Sequence, residues 1–226
     1  FLDRTEDIFG NLKSKQKNKF NNVKQHQTKP RLNVFSKDTE QTHLALGFHG
    51  LKRDHPARYA SGLLHVILGA NMSSRLFTEV RERRGLAYEI GTHIKYFADT
   101  GAFIVDAGID NRKVKEALRV ILKELKRIKT ASVSSNEFRR AKDFYIGQLS
   151  LSLEDTLNHM LWIGESTTAL DKTYTLDDVK NEINRIQKDD LSCLSREIFR
   201  EKNINLALIG SLKDSQKKIH HQLHID

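Results

Sequence analysis

Apolar and polar residues alternate from Thr42 to Gly50. Leu44, Leu46 and Phe48 point one way; His43, Ala45, Gly47 and His49 point the other. That period of two predicts a strand buried on one face. Leu32, Val34 and Phe35 begin a shorter strand ahead of it. After Pro56, which suits a helix start, Tyr59, Leu63, Val66 and Ile67 recur at helical spacing to about Leu68, and Gly69 closes the helix. A second helix begins with Ser73 or Ser74 as its N-cap, turns Leu76, Phe77 and Val80 inward and ends at Gly85. From Leu86 the period returns to two. Tyr88, Ile90, Thr92, Ile94 and Tyr96 share a face, Phe97 to Gly101 forms a turn, and Phe103, Val105, Ala107 and Ile109 return. This is the clearest hairpin in the chain.

The rest is mainly helical. Asp110 or Asn111 caps a long helix whose stripe is Val114, Leu118, Ile121, Leu122, Leu125 and Ile128. Ser134 to Glu137 reads as a capping box, and helical character continues through Trp162, weakened at Gly147 and Gly164. Thr175 to Asp178 caps a short helix to about Ile186, and Asp189 or Asp190 starts another that ends near Arg200. Ile204 to Gly210 is a buried strand, and the tail from Ser211 is polar. Strands followed by clustered helices predict the α+β class, a mostly antiparallel sheet with helices packed on one face. Gly10 to about Pro30, with the run Lys13 to Lys19, has no apolar period. The expected organisation is a linker or extension over 1–30, joined to a missing N-terminal half, and a single α+β domain over 31–226.

Composition narrows the function classes. The chain has 226 residues, 38% hydrophobic and 30% charged, with a mean hydropathy of −0.55. Nothing approaches the roughly 20 apolar residues of a membrane-spanning helix, so no membrane partner is expected. Net charge is +9, but much of it lies between Arg112 and Lys142, on the polar side of an amphipathic helix and just after it. A solvated helix face accounts for that better than a nucleic-acid footprint. The one cysteine, Cys193, excludes an intrachain disulfide and reads as a buried, inert thiol. A lone thiol is compatible with a reducing compartment, and a cytoplasmic location is the expectation. A first residue of Phe rather than Met suggests a fragment or processed piece.

No familiar catalytic metal spacing occurs. The ten histidines form neither H-E-x-x-H nor H-x-x-E-H. His220, His221 and His224 cluster in the tail without a Glu, which suggests adventitious metal binding at most. No G-x-S-x-G elbow or phosphate loop is present. The candidate chemistry lies at Arg81 and Tyr88, seven residues apart across a helix–turn–strand junction. Such a junction can aim a guanidinium and a phenol at one point, where both can donate to a peptide carbonyl or to the oxyanion formed on its attack. An arginine near a helix C-terminus also has an ordinary structural use.

These segments carry a resemblance. Gly69-Ala70-Asn71-Met72-Ser73-Ser74-Arg75-Leu76-Phe77, then Glu79-Val80-Arg81-Glu82, then Arg84-Gly85-Leu86-Ala87-Tyr88 is similar to the signature of the C-terminal domain of the pitrilysin/insulinase family of zinc metallopeptidases. Asp99-x-Gly101, Glu137-x-x-x-Ala141-Lys142 and Leu206 to Gly210 agree, and the similarity covers roughly 31–210. The resemblance implies an α+β half that closes with a homologous N-terminal half around a peptide substrate. It implies that the N-terminal half, in the same polypeptide or in a partner subunit, supplies the zinc, its ligands and a Glu general base. It implies that Arg81 and Tyr88 contact the substrate backbone. A second copy of the parent, forming a homodimer, is among the partners considered. This chain lacks H-x-x-E-H, so the isolated chain is expected to be inactive, with no catalytic or metal-ligating residue of its own. The alternative is a non-catalytic homologue, a scaffold or partner subunit of a peptidase complex.

Overall fold

The computed structural model describes residues 1–13, 21–212 and 216–225. Most of the basic run expected as linker lies outside the described residues. The strands are β1 (Arg31–Ser36), β2 (Gln41–Gly50), β3 (Ala87–Tyr96), β4 (Gly101–Asp110) and β5 (Asn205–Gly210). The helices are α1 (Leu2–Phe9), α2 (Arg58–Leu68), α3 (Val114–Thr130), α4 (Ser135–Glu154), α5 (Thr156–Leu170), α6 (Leu176–Arg185), α7 (Lys188–Ile198) and α8 (Gln216–His220). The strands form one sheet in the order β1-β5-β2-β4-β3. Only β1 and β5 run parallel; the other pairs are antiparallel. The chain is α+β, with helices on one face of the sheet, as the pattern of elements predicts.

The period of two in β2 explains the layering. Thr42, Leu44, Leu46 and Phe48 are buried under the helices, whereas His43 and Ala45 are exposed on the other face. In β5, Leu206 and Leu208 join the same buried face, and β4 adds Phe103, Val105, Ala107 and Ile109. Above them lie the stripes of α2 (Leu63, Leu64, Ile67), α3 (Leu118, Ile121, Leu125) and α7 (Leu191, Leu194, Ile198), all buried. Phe199, just past α7, meets Phe48 and Phe103 edge-on at centroid distances of 5.1 Å. Each such contact adds about 0.5–1.5 kcal/mol beyond its area and fixes the end of α7 over the middle of the sheet.

Several local expectations are corrected. No side chain caps α3, which starts at Val114; Asp110 instead accepts from the backbone N–H of Arg112 at 2.9 Å. The helix expected to run through Trp162 breaks at Asp155, whose carboxylate caps α5 through Asn158 N–H at 2.8 Å. Gly147 and Gly164 pass through mid-helix without a break. Asp190 lies within the first turn of α7 and reaches back to Gln187 N–H at 2.7 Å. Thr175 and Asp178 complete the capping box of α6. Cys193 is exposed rather than buried, because it falls off the Leu191, Leu194, Ile198 stripe. The tail is less polar in effect than in composition: Ile219, Leu223 and Ile225 are buried, and His224 pairs with Glu201 at 3.1 Å.

Candidate functional site

The candidate site begins where α2 ends. Gly69 accepts from Thr92 N–H of β3 at 3.3 Å. A Cβ there would lie 2.7 Å from the Thr92 backbone nitrogen, so only glycine allows the approach. Asn71 then closes a tight turn by accepting from Ser73 N–H at 2.9 Å. Neither serine caps the next helix through its side chain in the expected way; the Ser74 hydroxyl is buried without a partner. Arg75 sends a two-pronged fork to Glu137 on α4, both contacts 2.8 Å. The Ser134 half of the predicted capping box forms, while the Glu137 carboxylate is taken by Arg75. Burial pushes the Glu137 carboxyl up, but the Arg75 fork outweighs it and holds the group below the usual carboxylate range.

The following helix is wider than expected. Phe77–Glu82 is a π-helix, with Arg83 N–H bonded to Thr78 O at 2.9 Å, five residues back. Such wide turns are rare and concentrate at functional sites. Its anchor is Glu79, whose side chain is only 11% exposed. Arg83 and Arg84 each reach that carboxylate at 2.5 Å, and Arg84 also donates to the Glu79 backbone oxygen at 2.6 Å. Hydrogen bonding from Arg84, followed by the charges of both arginines, holds Glu79 below its ordinary value. Gly85, at φ +56°, then turns the chain in the left-handed region.

This clamp separates Arg81 from its neighbours. Arg83 and Arg84 fold back on Glu79 and take the structural role open to an arginine at a helix end. Arg81 remains exposed, its guanidinium carbon 4.8 Å above the centre of the Phe77 ring. Its side chain has no hydrogen bond or ion pair among the described residues.

Tyr88 is also displayed rather than packed. The expected face-sharing with Ile90 is corrected by a bulge: Ala87 pairs with Ile109 and Glu89 with Gly108, leaving Tyr88 as the extra residue. Bulges re-aim side chains. Leu86 and Ala87 are buried, but Tyr88 is 62% exposed, and its hydroxyl has no hydrogen bond among the described residues. Arg112, held by Asp110 at 3.0 and 3.2 Å, lies within electrostatic reach of the phenol. Asp110 balances the Arg112 charge, a pairing that sequence spacing did not reveal.

The other sequence candidates do not converge. His43 is exposed on the open face of the sheet, and His49 meets Gln27 at 3.3 Å. His93 pairs with Asp106 at 3.0 Å across the hairpin. Asp99 accepts from Val23 N–H at 2.6 Å, which ties the incoming segment to the hairpin turn. Among the described residues no group of three or more His, Cys, Asp or Glu side chains could hold a metal ion; the residues present do not fit a zinc site. No described helix is long and apolar enough to cross a membrane.

Comparison with known proteins places these features. The family model described as "Peptidase M16 inactive domain" matches residues 1–145. An uncharacterized zinc protease of Streptomyces coelicolor is 37% identical over 186 residues, which are 82% of this chain and 40% of that protein. The chain therefore spans less than half the length of that relative. A protease from Helicobacter pylori superimposes with a TM-score of 0.81 at 20% identity, over 92% of this chain and 51% of its own. A chain of Complex III2 from Candida albicans superimposes with a TM-score of 0.76 at 20% identity, over 86% of this chain and 49% of its own.

Proposed function

The chain belongs to the peptidase M16 inactive-domain family, and on that premise we propose that it is the substrate-gripping half of a zinc metalloendopeptidase. The zinc, its ligands and the general base come from an N-terminal half, in the same polypeptide or a partner subunit. Arg81 and Tyr88 hold the peptide backbone beside the bond to be cut. The observation that carries this reading is the contrast within the arginine cluster. Arg83 and Arg84 are spent on Glu79, while the Arg81 guanidinium, resting on the Phe77 ring, and the Tyr88 hydroxyl stand exposed at the two ends of the Gly85 turn with no hydrogen bond or ion pair among the described residues. An Arg fork and a phenol supply three or more donors, which suits a peptide carbonyl whose oxygen gains charge during attack.

A scaffold role has one point in its favour, since the fold also occurs in a chain of Complex III2. A scaffold, however, has no use for two displayed donors on either side of a rigid turn. Turnover of the full-length parent decides between them. Arg81→Ala and Tyr88→Phe are each expected to lower it by about 10²–10³, with the melting temperature unchanged. Full turnover in both variants overturns the assignment.

A further inference from the structure

The far end of β3 carries a second feature. An open cleft of about 670 Å³ lies between the β3–β4 turn, the start of α2 and the end of α5. Arg53, Arg58 and Lys172 line it, with Phe97 and Tyr174 as apolar surface and Asp54 as its carboxylate. Asp54 is engaged by Lys52 at 3.1 Å. None of the three cations meets a carboxylate among the described residues. The C-terminus of α5 offsets about half a unit of charge, which leaves a clear positive surplus.

The two arginines are held in place rather than free in solvent. Arg58 lies over the rings of Tyr59 and Tyr174, 4.4 and 4.9 Å from their centres, and donates to the Tyr59 hydroxyl at 2.9 Å. Tyr96 donates to the Arg58 backbone oxygen at 3.0 Å. Arg53 donates to the Tyr96 backbone oxygen at 3.3 Å. Lys172 follows Asp171, whose φ of 54° ends α5 in the left-handed region. Cations already fixed by other contacts lose little further freedom when an anion arrives. The volume falls in the range of sites for organic ligands, roughly 300–1,000 Å³, and the Phe97 and Tyr174 surfaces have nothing to offer a bare inorganic anion.

We propose that this cleft binds an acidic peptide segment, with carboxylates on Arg53, Arg58 and Lys172 and its aliphatic parts on Phe97 and Tyr174. The cleft is distinct from the Arg81 and Tyr88 site. Eight steps along β3 separate Tyr88 from Tyr96 by roughly 26 Å at strand rise. The proposal concerns this chain's own surface and holds whichever role Arg81 and Tyr88 play.

Calorimetric titration of this chain at low salt with a Glu/Ala peptide, and with its Lys/Ala counterpart, tests it. The acidic peptide alone should bind, and added salt should weaken it. The Arg53→Gln/Lys172→Gln variant should bind roughly tenfold more weakly. Arg119→Gln/Lys123→Gln on the outer face of α3 removes the same charge and should stay within about twofold of the parent. Equal weakening in both variants would reduce the effect to net charge and overturn the site. Inorganic phosphate binding as tightly as the peptide, on the same residues, would overturn the peptide assignment.

Discussion

Replacing Glu79 by Gln removes the charge that closes the π-helix while keeping the side-chain volume. Two charge-assisted hydrogen bonds are affected. Shielded from water, each would contribute about 1.5–3 kcal/mol. Arg83 is 66% exposed and Arg84 36%, so solvent screening reduces the first to about 0.5 kcal/mol and the second to about 1.5 kcal/mol. The expected loss is therefore about 2 kcal/mol, or about 4–8 °C in melting temperature for a chain of this size. The pH dependence follows from the direction of the shift. The folded Glu79 carboxyl sits below its ordinary value, so its stabilisation is complete above that ordinary value and is lost as pH falls through the folded one. Thermal unfolding of the two proteins across pH should show the full gap near neutrality and convergence in acid. Equal melting temperatures near neutrality, or a gap that widens in acid, would refute the clamp.

The Arg75–Glu137 link joins the signature loop to α4 and is more buried, with Arg75 only 11% exposed. Glu137→Gln should cost about 3 kcal/mol by stranding that cation, and Arg75→Met with Glu137→Leu should recover most of it in denaturant unfolding; additive losses would argue against the pair. Gly69→Ala forces a Cβ against Thr92 and should cost about 2 kcal/mol. Gly164→Ala, in mid-helix with nothing within 4 Å, should stabilise by about 0.5–1 kcal/mol. The exposed Cys193 thiol should react stoichiometrically with an aromatic disulfide reagent in the folded protein, which a buried thiol would not.

β2 and the β3–β4 hairpin were legible because each strand carries its own period, and Leu44, Leu46 and Phe48 mark the inner face without outside help. The helical stripes of α2 and α3 were legible for the same reason. The bulge at Tyr88 was not, since one extra residue leaves alternation intact on either side and only the pairing with Ile109 and Gly108 exposes it. The π-helix was equally hidden: its spacing resembles an α-helix over so short a run, and the contacts of Glu79 with Arg83 and Arg84 that accompany it leave no mark in the pattern. Arg75 and Glu137 lie 62 positions apart, beyond any local pattern. The tail misled because its lysines and histidines outnumber Ile219, Leu223 and Ile225, which do the packing. Arg81 and Tyr88 could be named from the motif, but that their polar groups lack hydrogen bonds and ion pairs among the described residues required the fold.

Zinc stoichiometry and chelator-sensitive peptide cleavage, measured side by side on this chain and on the full-length parent, test the division of labour directly. The account predicts near-zero zinc and no cleavage from the chain alone, against one tightly held zinc per active site and cleavage from the parent. A chain that holds zinc after mild chelation and cuts peptides unaided would contradict it.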